Sequence, residues 1–174
     1  MRFEITHEFD APLDAVELAV LSPELGSMLG RSLASLAKNG GPKIESVETL
    51  THVIENGELR RVLRFQASAP LALFKNRPIA RDAMTWQEVS TYRLADHASR
   101  WSVAPPKEDW RRYFRGEGTY RLEAVADGRT RRTVVGDLEI KLALLGKLAE
   151  RVAVAEVRKT YDAEADTLRA LATL

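Results

Sequence analysis

The chain has 174 residues, enough for one domain with a sizeable core, and we treat residues 1–174 as that domain. Its 26 basic and 25 acidic side chains leave a formal charge of +1, which argues against a dedicated nucleic-acid binder, and the absence of cysteine excludes disulfides and thiolate chemistry. No basic segment followed by an apolar one opens the chain, and no apolar run approaches 18 residues. We therefore expect no signal peptide, no transmembrane helix and a cytoplasmic location.

The N-terminal residues predict one strand followed by two short helices. Residues 2–9 alternate, so that apolar side chains share a face with His7, which is either a satisfied core residue or a polar group in a pocket. Asp10 stands two residues before Pro12, and Ser22 directly precedes Pro23. Both patterns are typical of helix N-termini, so each residue is a candidate N-cap. The second helix should end before residues 39–42.

A β-hairpin follows. Residues 44–55 are rich in β-branched side chains, and residues 59–69 alternate apolar and polar side chains. Asn56 and Gly57 between them predict a type I′ turn, which requires positive φ.

Residues 70–84 break the pattern, because they contain two prolines yet carry several large apolar side chains. This segment either tucks into the rim of the core or forms a lid or mouth over a cavity. The second alternative includes a transient contact of this segment with a membrane.

Four further strands are predicted at residues 85–94, 100–103, 111–126 and 130–141, with a surface loop at 105–109 and a hairpin turn at Asp127 and Gly128. Trp86 and Tyr92 are in phase on one strand. Tyr120 shares a face with Gly116 and Gly118, which indicates a bulge or a close approach to the sheet.

The last 28 residues, Lys147 to Leu174, contain neither glycine nor proline and predict one long amphipathic helix. Its main apolar face must pack against the sheet. Glu164 projects within this face and needs a partner, either an arginine of the sheet or a ligand. The main face consists of Val154, Val157, Tyr161, Leu168, Leu171 and Ala172. A second apolar stripe is formed by Leu145, Leu148, Val152 and Ala155.

The sequence contains no Gly-rich phosphate-binding loop, no His-Glu-x-x-His motif of metalloproteases and no Gly-x-Ser-x-Gly motif of serine hydrolases. The three histidines are scattered, and His97 falls in a turn where we expect it to be exposed. A pairing of His7 with Glu164 is conceivable. The arginines are expected on a solvated outer face, with attraction to anionic lipid headgroups as the alternative. These are Arg60, Arg61, Arg64, Arg111, Arg112, Arg115, Arg129, Arg131 and Arg132.

The order of elements is one strand, two helices, about six strands in hairpins and a long helix, an α+β arrangement with an antiparallel sheet. The resemblance rests on this order, on the motif at residues 7–12, on Trp86 and Tyr92, on residues 118–123, and on residues 136–141 leading into 144–150. Together they resemble the START-like, or SRPBCC/Bet v 1-like, superfamily, and most of all the bacterial DUF2505 family. The resemblance implies a helix-grip fold of about seven strands. It also implies a deep cavity between the sheet and the terminal helix for apolar ligands such as lipids.

The leading hypothesis is therefore a protein that binds, and carries or sequesters, a hydrophobic small molecule, with no cofactor and no metal. A long acyl chain could gain on the order of 10 kcal/mol from an apolar cavity without any catalytic group. One rival is an enzyme of the polyketide cyclase or hydrolase type on the same fold. The other is a protein-interaction module that uses the second stripe, which a collapsed cavity together with an exposed stripe would favour. The expected ligand-binding residues are Ile5, His7, Phe65, Trp86, Tyr92, Trp101, Tyr120, Val157, Tyr161, Glu164 and Leu168.

Overall fold

A computed structural model describes residues 1–38, 44–67, 84–141 and 146–173. It contains seven strands and four helices within those ranges. They run in the order β1 (Arg2–Phe9), α1 (Leu13–Leu21), α2 (Leu25–Lys38), β2 (Ile44–Glu55), β3 (Glu58–Ala67), β4 (Thr85–Arg93), β5 (Ala98–Ala104), α3 (Glu108–Arg111), β6 (Phe114–Val125), β7 (Arg129–Ile140) and α4 (Gly146–Ala172). The segment 70–83 and Leu145, for which the sequence made predictions, lie outside the described residues.

The seven strands form one curved antiparallel sheet in the order β1-β7-β6-β5-β4-β3-β2. Two tight turns are formed as predicted. Asn56 and Gly57 have φ of 53° and 77°, and Asp127 and Gly128 have φ of 65° and 69°. Long antiparallel hairpins therefore set the register across most of the sheet.

The long helix α4 packs against α1, α2, β1 and β7. Its burial is uneven along its length. Between Gly146 and Asp162 only Ala149 is fully buried, whereas Ala163, Ala165, Thr167 and Leu168 are all buried. The C-terminal part of α4 is thus anchored in the core, and the N-terminal part packs less tightly against the core.

Three local predictions need correction. The helix α1 begins after Pro12 and has no side-chain cap, so Asp10 is not its N-cap. The predicted loop at 105–109 continues into the short helix α3, where Arg111 donates to the backbone carbonyls of Pro105 and Pro106 at 3.0 and 3.1 Å. The sixth strand consequently begins at Phe114 and not at Arg111.

No helix within the described ranges is long and apolar enough to cross a membrane.

Candidate functional site

A hollow lies between the inner face of strands β3–β6 and the helices α1 and α4. The strand register explains which side chains reach it, because residues paired across an antiparallel sheet point to the same face. One such row passes through Trp101, Gly118 and Gly136, where the indole lies close over the two glycines. A Cβ built on Gly118 would be 2.5 Å from the Trp101 ring, and one on Gly136 would be 2.6 Å from it. This row consists of Arg61, Ser90, Trp101, Gly118, Gly136 and Phe3.

The close approach predicted at Gly118 is thus confirmed, since the ring that approaches is Trp101. The next row places Tyr92, Ser99 and Tyr120 side by side on the same face. The lining of the hollow comes from both rows and from two helices. It comprises Val20, Leu59, Arg61, Glu88, Ser90, Tyr92, Ser99, Trp101, Tyr120, Tyr161 and Glu164.

The hollow is small. The space that the centre of a water molecule can occupy within it is about 20 Å³, room for about one water. The prediction of a deep apolar cavity is therefore wrong for the described part of the chain, and no acyl chain fits this hollow as it stands. The lining is also more polar than expected, because a sheet arginine and two carboxyl groups face it.

Arg132 is the most buried charged group beside the hollow. Its side chain is completely buried, and its Nη1 donates to Glu164 Oε2 at 2.7 Å, while Nη2 donates to the Tyr161 carbonyl at 2.9 Å. The guanidinium also lies over the rings of Phe9 and Tyr120, at 5.8 and 5.5 Å from their centroids. The partner expected for Glu164 was an arginine of the sheet or a ligand, and the partner is the sheet arginine Arg132.

His7 extends this cluster toward solvent. Its Nδ1 accepts from Arg132 Nη2 at 3.1 Å, so Nε2 carries the proton and donates to Asp162 Oδ1 at 2.8 Å. Burial lowers the pKa of His7, and the neighbouring Arg132 charge lowers it further, against the opposing effect of Asp162. The conceived pairing of His7 with Glu164 is wrong, because Arg132 lies between them.

Glu88 is the second carboxyl group of the hollow. Burial raises its pKa to about 7, and the negative charge of Glu164 adds to this, while Arg61 opposes it. Among the described residues it has no hydrogen-bond partner. Glu88 therefore exchanges a proton near neutral pH, which ordinary exposed glutamates do not.

A third set of contacts connects the hollow to α1. The Tyr92 hydroxyl donates to Glu17 Oε1 at 2.7 Å, and His97 Nδ1 lies 2.8 Å from the same oxygen. Burial, and then this hydrogen bond, raise the pKa of Tyr92. The His97 side chain is 41 % exposed in its turn, as predicted. These contacts hold α1 over the end of β4.

Several buried donors have no partner among the described residues. They include Arg61 Nε, Trp101 Nε1 and Arg132 Nε. The Tyr120 hydroxyl lies near Arg132 but makes no hydrogen bond of good geometry. Buried polar groups are seldom left unsatisfied, since each costs about 1–3 kcal/mol. Of these residues Arg61, Trp101 and Tyr120 line the hollow, so an occupant that accepts hydrogen bonds would satisfy their donors.

Five of the eleven side chains predicted from the sequence line the hollow, namely Tyr92, Trp101, Tyr120, Tyr161 and Glu164. The others lie elsewhere. Ile5 and Leu168 are buried in the main core, and Val157 packs on it half-buried. Phe65 and Trp86 stack on each other, with ring centroids 5.7 Å apart, in a second core cluster beneath α2. His7 contacts Arg132 beside the hollow.

The sequence interpretation missed Arg61 and Glu88, although alternation gave a signal for both. Arg61 is in phase with Leu59 and Leu63, and Glu88 is in phase with Tyr92. Because Arg61 is charged, it was predicted on the outer face. Glu88, which is also charged, was assigned no role. The prediction of a solvated outer face is wrong for Arg61 and Arg132, which are 7 % and 0 % exposed.

The outer-face prediction holds for other arginines. Arg64 is exposed and pairs with Glu48 at 3.2 Å, and Arg129 and Arg131 both pair with Glu8, at 3.1 and 2.8 Å. Within the described ranges no group of three His, Cys, Asp or Glu side chains could hold a metal ion.

Solved structures of similar shape cover nearly the whole chain. TTHA0849 from Thermus thermophilus has a TM-score of 0.64 at 17 % identity, covering 99 % of this chain and 97 % of that one. The Zhui aromatase/cyclase from Streptomyces sp. R1128 has a TM-score of 0.62 at 17 % identity, covering 99 % and 93 %. Ara h 8.0201 has a TM-score of 0.56 at 16 % identity, covering 97 % of each chain.

At such identities these likenesses show the fold alone, and the fold hosts both an aromatase/cyclase and other proteins. They confirm the helix-grip arrangement expected from the order of elements. None of the curated proteins matches this sequence. The family model described as "Protein of unknown function (DUF2505)" matches residues 4–171, and the chain therefore belongs to the DUF2505 family.

Proposed function

We propose that this protein binds a small molecule with a large apolar part in the hollow between the sheet and α4, and carries or sequesters it. The observation that carries the proposal is the set of unpaired donors, Arg61 Nε and Trp101 Nε1, on a wall that also presents four aromatic rings. Such a wall offers hydrogen bonds to one polar group and apolar contact to the rest of a ligand.

Because the hollow admits only about one water, binding requires the wall to move. The N-terminal part of α4 is the part suited to this, since Val154 and Val157 are half-buried and Ala149 alone is fully buried before Asp162. Displacing this part of the helix costs less apolar burial than displacing Leu168 and its neighbours.

A second candidate function is catalysis on a bound molecule, as in the cyclase or hydrolase rival. It is favoured by the convergence of Glu88, Glu164, Tyr120 and Tyr161 on one hollow, and by the pKa of Glu88 near 7, where a carboxyl group can both take up and release a proton. Incubation of the purified protein with the molecule it retains, followed by mass spectrometry, tests this. A change in the molecule that Glu88→Gln abolishes supports catalysis, and an unchanged molecule contradicts it.

The protein-interaction role has weaker support. In the second stripe Leu148 is 49 % exposed, but Val152 is half-buried and Ala155 offers little apolar area. A single exposed leucine is normal on a protein surface.

Ligand binding is tested by extracting the purified protein with organic solvent and identifying co-purified molecules by mass spectrometry. A matched pair of variants locates the binding site. Ser99→Leu fills the hollow from β5, whereas Ser102→Leu places the same side chain on the exposed outer face of that strand. We expect Ser99→Leu to lower the molar ratio of retained molecule several-fold and Ser102→Leu to leave it unchanged.

Circular dichroism confirms that both variants are folded. Equal retention by two folded variants would contradict a site in the hollow, and an extract with no small molecule would contradict stable sequestration.

A further inference from the structure

Arg61 is a buried cation that forms no ion pair with a carboxylate among the described residues. It lies on the inner face of β3, 7 % exposed, and its Nη1 donates to the Val20 carbonyl in the last turn of α1 at 3.0 Å. That bond uses one of the five N–H groups of the guanidinium, and Nε has no partner. The hollow therefore contains an arginine held in place by α1 with hydrogen-bonding capacity left over.

Arg132 is a second buried arginine whose Nε also has no partner among the described residues, but its charge, unlike that of Arg61, is paired with a carboxylate. It is equally buried, but the Glu164 carboxylate lies 2.7 Å from it and neutralises its charge. No ion pair joins Arg61 to a carboxylate in the part of the chain that the structure describes. Two carboxyl groups share the hollow with Arg61, but Glu164 is paired with Arg132, and Glu88, whose pKa is raised to about 7, is mostly neutral below that pH. An isolated buried charge is costly, and proteins normally supply a counter-charge.

Ser90 is the cross-strand neighbour of Arg61, and Trp101 follows in the same row with an unpaired indole N–H. Trp101 Nε1 and Arg61 Nε can only donate hydrogen bonds, so the complementary ligand group must accept them. An ionised carboxylate is such a group, and its two oxygens match the guanidinium fork.

We propose that the ligand of the hollow is a monocarboxylate with an apolar body, and that Arg61 binds its carboxylate while the rings of Tyr92, Trp101 and Tyr161 contact the apolar part. This inference rests on the proposed binding function and adds the chemical class of the ligand. It assigns Arg61 as the residue that selects acids over neutral molecules of the same shape.

Isothermal titration calorimetry with two acid–amide pairs tests the inference. The probes are decanoate against decanamide and 2-naphthoate against 2-naphthamide, at a pH near 6 where both acids are ionised. We expect at least one acid to bind about tenfold or more tightly than its amide, since a hydrogen bond to a charged group is worth more than one to a neutral group. Arg61→Gln should abolish this preference.

Arg60→Gln is the matched control, because Arg60 is the preceding residue on β3 and its side chain is 72 % exposed on the outer face. It loses the same charge and should keep the preference for the acid. If Arg61→Gln fails to fold, Arg61→Lys retains the charge without the fork, and we expect it to bind the acid several-fold more weakly while still preferring it to the amide.

Equal affinity for acid and amide in the parent protein, or a preference that survives in folded Arg61→Gln, would overturn the assignment of Arg61 and leave the binding function intact. Unchanged acid affinity in Arg61→Lys would also overturn it. Failure of all four probes to bind would contradict both the monocarboxylate and the hollow as a site for molecules of this kind.

Discussion

Replacing Arg132 with methionine is expected to lower the free energy of unfolding by about 3–5 kcal/mol. The substitution removes the partner of Glu164, whose side chain is only 13 % exposed, and leaves the Tyr161 carbonyl without the donor that reaches it from the sheet. The largely buried Glu164 carboxylate is then left without the positive charge that Arg132 supplied. Equilibrium denaturation at neutral pH measures the loss.

Arg131→Met is the control for this prediction. Arg131 is the adjacent residue on β7, its side chain is 44 % exposed, and it pairs with Glu8 at 2.8 Å. We expect it to cost less than about 1 kcal/mol, as exposed ion pairs do. The double variant Arg132→Met/Glu164→Leu should recover part of the loss because it leaves no unpaired charge. Equal, small losses for Arg131→Met and Arg132→Met would show that the buried pair is not what holds α4 to the sheet.

Glu88→Gln is expected to make the protein more stable than the parent at about pH 8 and nearly equal to it at about pH 5. In the folded protein the pKa of Glu88 is raised from 4.5 to about 7. Between these values the folded state binds more protons than the unfolded state, so the stability of the parent falls as pH rises through this window. This difference in pKa between the unfolded and the folded state corresponds to about 3 kcal/mol in the free energy of unfolding.

Denaturation curves at the two pH values for parent and variant measure the effect. Glu117→Gln, an exposed position on β6, removes the same charge and should not change the pH dependence relative to the parent. The charged and titratable groups facing Glu88 are Glu164, Arg61 and Tyr161, and none of them is altered in the variant. A parent whose stability rises between pH 5 and 8 as steeply as that of Glu88→Gln would contradict a raised pKa at Glu88.

The fold could be predicted from the sequence because local signals set most of it. Asn56-Gly57 and Asp127-Gly128 admit positive φ and fixed two hairpins, and the run after Gly146 has the composition of a single long helix. The prediction of a loop at residues 105–109 failed because the local signals there are mixed. The acidic residues after Lys107 also suit a first helical turn, which α3 provides at Glu108.

The site was only partly predictable, for two physical reasons. Alternation places Arg61 with the apolar side chains of β3 and Arg132 with Val134 and Leu138 of β7, but the general cost of burying charge favoured an outer position. Only the tertiary structure shows what offsets that cost, namely Glu164 on α4 for Arg132 and the end of α1 for Arg61.

The volume of the hollow is set by packing, which no strand pattern reports. The resemblance implied a deep cavity, yet the hollow that Tyr92, Tyr120 and Tyr161 line has room for about one water. A ring or chain can enter only when these side chains and the first part of α4 move apart.

The central claim, that a ligand occupies this hollow, is tested most directly by the indole N–H signals of the three tryptophans in ¹⁵N-labelled protein. Trp101 Nε1 is buried at the hollow without a partner among the described residues, whereas Trp86 stacks on Phe65 and Trp110 lies in α3. Assignment uses Trp→Phe variants. On titration with 2-naphthoate or decanoate, we expect a large, saturable shift of the Trp101 signal and little change in that of Trp110. Saturable binding that leaves the Trp101 signal in place, or shifts the Trp110 signal alone, would contradict the claim.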